Sequence, residues 1–513
     1  MKNYAETIGK GIRITFFFSV LSLAFGYAFR IFLSKSLAID EFGLFYSVMA
    51  FVGLAGIATE FGAYDSLVKH IAELNARHEN KKIVSAAVMV FSWRFFLSLI
   101  VFGCLILSAD YWELSYFKID GASLVLQLVL IENIINMGIY TYIFQGLGKF
   151  KFFAATELVR ILIFFAAAYA LIGMGVTGVA TANLIATVIM GILFTFIFVR
   201  QSPFFLKEML NLLRARQLFD RQLFERIIKF GAVVWVGSLT ALMGRIDILA
   251  LTVFRTLGEV GLYSVAAPTA ALLLIFVSPI VNVIYPSISA MWAENEAASV
   301  SKSMSVILRL SFVFMLPFSL IIAAFSDYVL ATIFGAKFIA ASGVLSILAM
   351  SMVMSSLASL SLIALKAIGH PELNTKIAIV TLVSNVVFNA YLVPLYGING
   401  AAAATFLSAF VMFALSMHKL NENIEIDFPA SKIASALIGG FFMLLIMLLA
   451  KGIIEMNDAV LEASLISSIG VLYYALYTVQ FRLITKDDFQ IFLRTKISVP
   501  QAAKKIIFQI LKD

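Results

Sequence analysis

Apolar runs of about twenty residues recur along the chain from Ile12 to Gln480, and each is long enough to cross a hydrocarbon core of about 30 Å as a helix. A chain built this way has lipid as its solvent. The runs show no strand-like alternation, which excludes a membrane β-barrel and leaves an all-α polytopic protein. Composition agrees, since 62% of the 513 residues are hydrophobic and 13% are charged, a balance foreign to soluble globular chains. The first run follows a basic start (Lys2, Lys10, Arg13). It is too long for a cleaved signal and lacks a small-residue cleavage site, so it is expected to remain as a signal anchor. Cys104 is the only cysteine, and His70, His78, His370 and His418 fall in polar connections, so neither a disulfide nor a membrane-embedded metal site is expected.

The runs predict about fourteen spans, at 12–33, 42–64, 83–108, 121–144, 152–173, 176–199, 230–254, 260–285, 303–324, 339–365, 376–395, 398–417, 433–450 and 460–480. Lysine and arginine set the orientation. The N-terminus, the even-numbered loops and the C-terminal tail hold about 28 of the basic residues, and the odd-numbered loops about six, so both termini are expected in the cytoplasm.

Five segments follow: an N-lobe at 1–199, a basic linker at 200–229, a C-lobe at 230–420, two further helices at 421–481, and a basic cytoplasmic tail at 482–513. In the linker, Arg214, Arg216, Arg221 and Arg226 stand beside Phe205, Met209 and Leu212 at helical spacing. That pattern fits an amphipathic helix on the anionic leaflet, or else a basic loop that only fixes topology. The net charge of +8 is accounted for by topology, which leaves no case for nucleic-acid binding.

An internal repeat organises the two lobes. Tyr169-Ala170-Leu171, Gly175-Val176-Thr177-Gly178, Ala180 and Ala182 return as Tyr391-Leu392-Val393, Gly397-Ile398-Asn399-Gly400, Ala402 and Ala404, at a constant offset of 222. Glu41-Phe42-Gly43-Leu44-Phe45 returns as Glu259-Val260-Gly261-Leu262-Tyr263, and Gly148 as Gly369. Six spans per repeat is an even number, so the halves are parallel repeats about an axis along the membrane normal, with a substrate path expected between them.

Ionisable groups at membrane depth cost about 3 kcal/mol each even on the lenient insertion scale, so each needs a partner, a polar cavity or a function. The spans place Arg94, Glu132, Arg245 and Asp247 deep, Arg30 near the outer end of the first span, and Glu60, Glu157, Arg160 and Arg309 nearer the cytoplasm. Glu157 and Arg160, three apart, suit a structural ion pair. Arg94 and Glu132 suit either a bridge between neighbouring helices or separate roles. No G-x-x-x-x-G-K-[ST] loop is present, so no ATPase chemistry is expected.

The segments Leu33-Ser34-Lys35-Ser36-Leu37 to Glu41-Phe42-Gly43-Leu44, Asp247 to Ala266 with Pro286, and Gly369 to Pro394-Leu395-Tyr396-Gly397-Ile398-Asn399-Gly400-Ala401-Ala402 resemble the Wzx-like O-antigen flippases. These polysaccharide transporters sit in a superfamily with lipid II flippases and multidrug and toxin extruders. The resemblance covers the first twelve spans. It implies a bacterial inner-membrane, two-lobed alternating-access transporter that moves an undecaprenyl-pyrophosphate-linked glycan to the periplasmic leaflet, with surrounding lipids, a polysaccharide polymerase and chain-length machinery as partners.

On that reading Arg30, Arg94 and Arg245 bind the pyrophosphate, whose oxygens match the guanidinium fork. Asp247, Glu132 or Glu60 belongs to the network that couples transport to H+ or Na+. A multidrug exporter would favour acidic and aromatic lumen residues over arginines. A membrane glycosyltransferase, polymerase or ligase would need a large external loop with catalytic carboxylates. Here Asp110, Glu113 and Asp120 form the only external acidic cluster, which reads as a solvated connection. A lipid II flippase would differ mainly in cargo.

Overall fold

The computed structural model describes residues 2–136, 138–214, 219–238, 242–427, 430–454, 456, 458–485 and 488, and every regular element among them is helical. The chain packs as two units, Met1–Gly261 and Leu262–Asp513.

The first unit holds α1 (Lys2–Ser36), α2 (Ile39–Glu60), α3 (Ala63–Ala76), α4 (Asn80–Leu107), the short α5 (Ala109–Trp112), α6 (Ala122–Ile135), α7 (Ile139–Gly146), α8 (Phe150–Leu171), α9 (Gly175–Gln201), α10 (Pro203–Arg214), α11 (Arg221–Ser238) and α12 (Met243–Phe254). It also holds the first turn of α13 (Leu257–Ala271). The second unit continues with α14 (Ser278–Ala293), α15 (Ala297–Ala324), α16 (Ser326–Ile333), α17 (Ser342–Ala367), α18 (Pro371–Asn423), α19 (Ala430–Lys451) and α20 (Ala459–Gln480).

Among the described residues eleven helical stretches are long and apolar enough to cross a membrane. Two of them, Phe150–Gln201 and Pro371–Asn423, run 52 and 53 residues, and both fold back on a glycine of the sequence repeat. Gly175 sits at φ 62°, ψ −145° and Gly397 at φ 57°, ψ −133°, a region closed to residues with a Cβ. Leu171 O then presses on Gly178, and Leu392 O on Gly400, although residues seven or eight apart in a straight helix would be separated by about 10–12 Å. Each stretch therefore holds two span-length helices, so the described residues carry thirteen such helices against the fourteen expected. Glu41, from the other repeated motif, accepts hydrogen bonds from Val176 N–H (3.4 Å) and Ala38 N–H (3.2 Å), so the motif residues serve the fold.

Three segments differ from the sequence expectation. The span at 121–144 is two helices: the Asn136 N–H makes the last backbone bond of α6, to the Glu132 carbonyl at 2.7 Å, its side chain folds back onto the Glu132 carboxylate, and Gly138 takes positive φ before α7. The span at 230–254 is divided between α11 and α12, and 239–241 lie outside the described residues. The linker is α10 followed by the opening turns of α11 rather than one helix.

In α10 Phe205 meets Phe198 edge to face (centroids 4.8 Å apart) and Leu212 is buried, while Leu206, Leu210 and Leu213 form an exposed stripe beside Lys207 and Arg214. Arg216 lies outside the described residues, as do 486–487 and 489–513 of the tail. Between α7 and α8, Lys149 donates to Ser202 Oγ at 3.3 Å and to the Gln201 carbonyl, and partial burial lowers its pKa from the usual ammonium range.

The second unit is built on an apolar core of α15 and α17 residues such as Ile307, Leu308, Val353 and Leu360, onto which Met443 of α19 and Ile466 of α20 pack. Polar latches tie the two extra helices to α15 and α16. Lys451 pairs with Asp327 at 2.8 Å and lies 4.3 Å from the Tyr328 ring, and Tyr328 donates to Glu462 at 2.8 Å. Midway along α15, the buried Arg309 pairs with the buried Asp488, which follows α20.

Candidate functional site

Tyr46, Gly53 and Glu60 are spaced by seven, so they lie along one side of α2 and span about 21 Å of its length. Each meets an arginine from a different helix. The Arg30 guanidinium of α1 lies 4.3 Å from the centre of the Tyr46 ring. Arg245 of α12 rests on Gly53, its guanidinium filling the place of the side chain that glycine lacks. Arg94 of α4 reaches Glu60 at 3.7 Å and lies 4.3 Å over Tyr64, which is itself stacked on Tyr142 with centroids 4.0 Å apart.

The stripe is anchored by Ser47, bonded to Thr252 at 2.7 Å, and by Trp235 Nε1, which donates to Ile57 O at 2.8 Å. Arg94 is 7% exposed, while Arg30 and Arg245 are half-buried. Aromatic faces and one half-exposed carboxylate contact these cations, and a ring contact is worth about 0.5–2 kcal/mol.

A second polar feature lies off this stripe. The break between α6 and α7 leaves a cavity of about 600 Å3 bounded by α1, α7, α8 and α9. Beside it Glu132, 3% exposed, accepts from Thr187 Oγ1 (2.7 Å), Asn136 Nδ2 (3.0 Å) and Asn133 Nδ2 (2.9 Å). Three donors satisfy a carboxylate that would otherwise be prohibitive at this depth. Glu157 and Arg160 pair at 3.0 Å on the cavity wall.

Arg30, Arg94, Arg245 and Glu60 are thus brought to one face of α2. Glu132 takes its hydrogen bonds from Thr187, Asn133 and Asn136, and Arg94 takes its ion pair from Glu60. Asp247 is buried at 3% exposure. Sequence reasoning missed Thr187, Asn133 and Asn136, although Gly138 in mid-span with two nearby asparagines is a readable sign of a broken helix.

Residues 8–292 match the family model described as "Polysaccharide biosynthesis protein". The chain is 26% identical over 496 residues to an uncharacterized membrane protein of Methanocaldococcus jannaschii, covering 93% of this chain and 95% of that one. It is 23% identical to a probable low-salt glycan biosynthesis flippase of Haloferax volcanii, covering 90% and 94%. Among solved structures, it superposes on the lipid II flippase MurJ in its inward closed conformation with a TM-score of 0.70 at 15% identity, covering 91% of this chain and 98% of that one.

Proposed function

The chain belongs to the polysaccharide biosynthesis protein family, and from that premise we propose that it is a flippase for lipid-linked oligosaccharides. It moves the glycan headgroup from the cytoplasmic to the outer leaflet by alternating access while the polyprenyl tail stays in lipid. Undecaprenyl pyrophosphate of a bacterial inner membrane is the proposed carrier. The observation that carries this reading is the arginine stripe on α2.

A pyrophosphate with sugars attached cannot enter hydrocarbon unaided. Each arginine offers a charge-assisted contact worth about 1.5–3 kcal/mol. The contacts are spaced by about 10.5 Å, so the anion passes from Arg94 to Arg245 to Arg30 without falling into one deep well. Glu60, half-exposed and 3.7 Å from Arg94, is the partner the arriving anion replaces. A multidrug exporter of the same fold would present acidic groups here, and three arginines along one face of α2 weigh against it.

Coupling is proposed to run through Glu132, with Asp247 as the alternative. Neutralising Glu132 by a proton, or screening it with Na+, weakens its hold on Thr187 and Asn136 across the helix break. Glu132→Gln keeps the size and removes the charge, so an imposed pH gradient should speed exchange of the lipid-linked glycan by wild type and leave the variant's rate unchanged. Equal acceleration of both proteins would remove Glu132 from this role. The function itself is tested in cells depleted of the protein, which should accumulate lipid-linked glycan on the cytoplasmic leaflet. Normal display of surface glycan after depletion would count against the flippase reading.

A further inference from the structure

The cavity beside α7 contains no residue of α2, so it is distinct from the arginine stripe. Its wall carries hydroxyls such as Ser22, the Asn136 amide, the Tyr140 phenol and the Glu157–Arg160 pair. One cation balances one anion, and donors are mixed with acceptors. Such a wall offers little to a phosphate or an ammonium group and much to a neutral polyol, whose every hydroxyl both donates and accepts.

The hydroxyl of Ser22 is buried and has no hydrogen-bond partner among the described residues. The volume of about 600 Å3 lies inside the usual range of small-molecule sites.

The repeat supplies a control. At the offset of 222 that holds from Tyr169 onward, Thr187 corresponds to Ala409, and the offsets of 221 and 222 that bracket Glu157 and Arg160 give Ala378 or Ile379 and Thr381 or Leu382. A lobe of this architecture therefore does not need the charged pair at those positions. The cavity also connects to the proposed path, because Tyr142 lines it and stacks on Tyr64, the ring over which Arg94 sits.

We propose that this cavity is a glycan subsite that takes a neutral or N-acetylated sugar of the headgroup when its pyrophosphate is at Arg94. The inference rests on the flippase reading. Ser22, Asn136 and the Glu157–Arg160 pair bond the ring hydroxyls, and the subsite makes the transporter read the sugar as well as the anion.

The test compares two probes in vesicles: the lipid-linked glycan that accumulates in cells lacking the gene, and the same polyprenyl pyrophosphate without sugars. The double variant Glu157→Ile with Arg160→Leu copies the second repeat and leaves no unpaired charge in the membrane. Ser22→Leu fills the wall from α1 and is a second, independent change. Each should slow exchange of the glycan-bearing lipid at least tenfold, and the ratio of its rate to that of the sugar-free lipid should fall by the same factor. An unchanged ratio, whether both lipids slow together or neither slows, would overturn the subsite while leaving the flippase reading in place. Failure of wild type to move either lipid would overturn both.

Discussion

Arg94→Ala combined with Arg245→Ala should slow transbilayer exchange of a lipid-linked glycan by at least about a hundredfold, because each change removes a charged contact worth about 1.5–3 kcal/mol and each 1.4 kcal/mol is tenfold. Arg94 meets Glu60 and Tyr64, and Arg245 lies on the backbone of Gly53. Loss of exchange with intact insertion and thermal stability would therefore report on cargo. Arg→Lys at the same positions should retain part of the rate, since an ammonium keeps the charge and loses the fork.

Gly53→Leu separates charge from position. It keeps every arginine and drives the Arg245 guanidinium off α2, so it should resemble Arg245→Ala. If Gly53→Leu exchanges lipid at the wild-type rate, the seat of Arg245 on α2 is irrelevant, and the stripe with it.

The largest effect on stability is expected far from that stripe, at Arg309 and Asp488. Both are buried, at 8% and 5% exposure, and they pair across 179 residues of sequence. Asp488 is further held by Thr485, whose N–H donates to Oδ2 at 3.0 Å. The neighbouring 424–427 segment is fixed to α15 as Asp427 N–H donates to Ser305 Oγ at 2.9 Å.

Removing one member strands a buried charge, so Arg309→Met or Asp488→Leu alone should cost about 3–5 kcal/mol. The double change should recover most of that loss, because apolar replacement of a buried pair is near neutral. Thermal unfolding in detergent micelles measures it, with a drop of roughly 5 °C for each single change. Single changes that leave the midpoint in place would mean that the pair does not hold the end of α20 to α15.

Much of this architecture was legible because lipid imposes a simple rule on sequence. Runs of apolar residues locate the spans, and the glycines at 175 and 397 announce turns that only a residue without Cβ can make. Partnerships between helices were less legible, since they depend on rotation and depth. Arg94 and Glu132 suited either a bridge or separate roles from their neighbouring spans, and nothing in the sequence pointed to Thr187 of α9, which donates to Glu132. The arginine stripe hid in a different way. Tyr46, Gly53 and Glu60 are unremarkable at heptad spacing until three other helices deliver Arg30, Arg245 and Arg94 to that face. Arg309 gave no local sign of a partner 179 positions away.

The most direct test of the flippase reading is leaflet exchange by the purified wild-type chain in vesicles carrying a fluorescent lipid-linked glycan on both leaflets, probed with an impermeant quencher. In protein-free vesicles roughly half the signal is shielded, because the headgroup does not cross unaided. With the protein present, quenching should run nearly to completion, and Arg94→Ala with Arg245→Ala should return it to the protein-free level. Quenching that stops at the protein-free level with wild type, with or without an imposed ion gradient, would contradict the account.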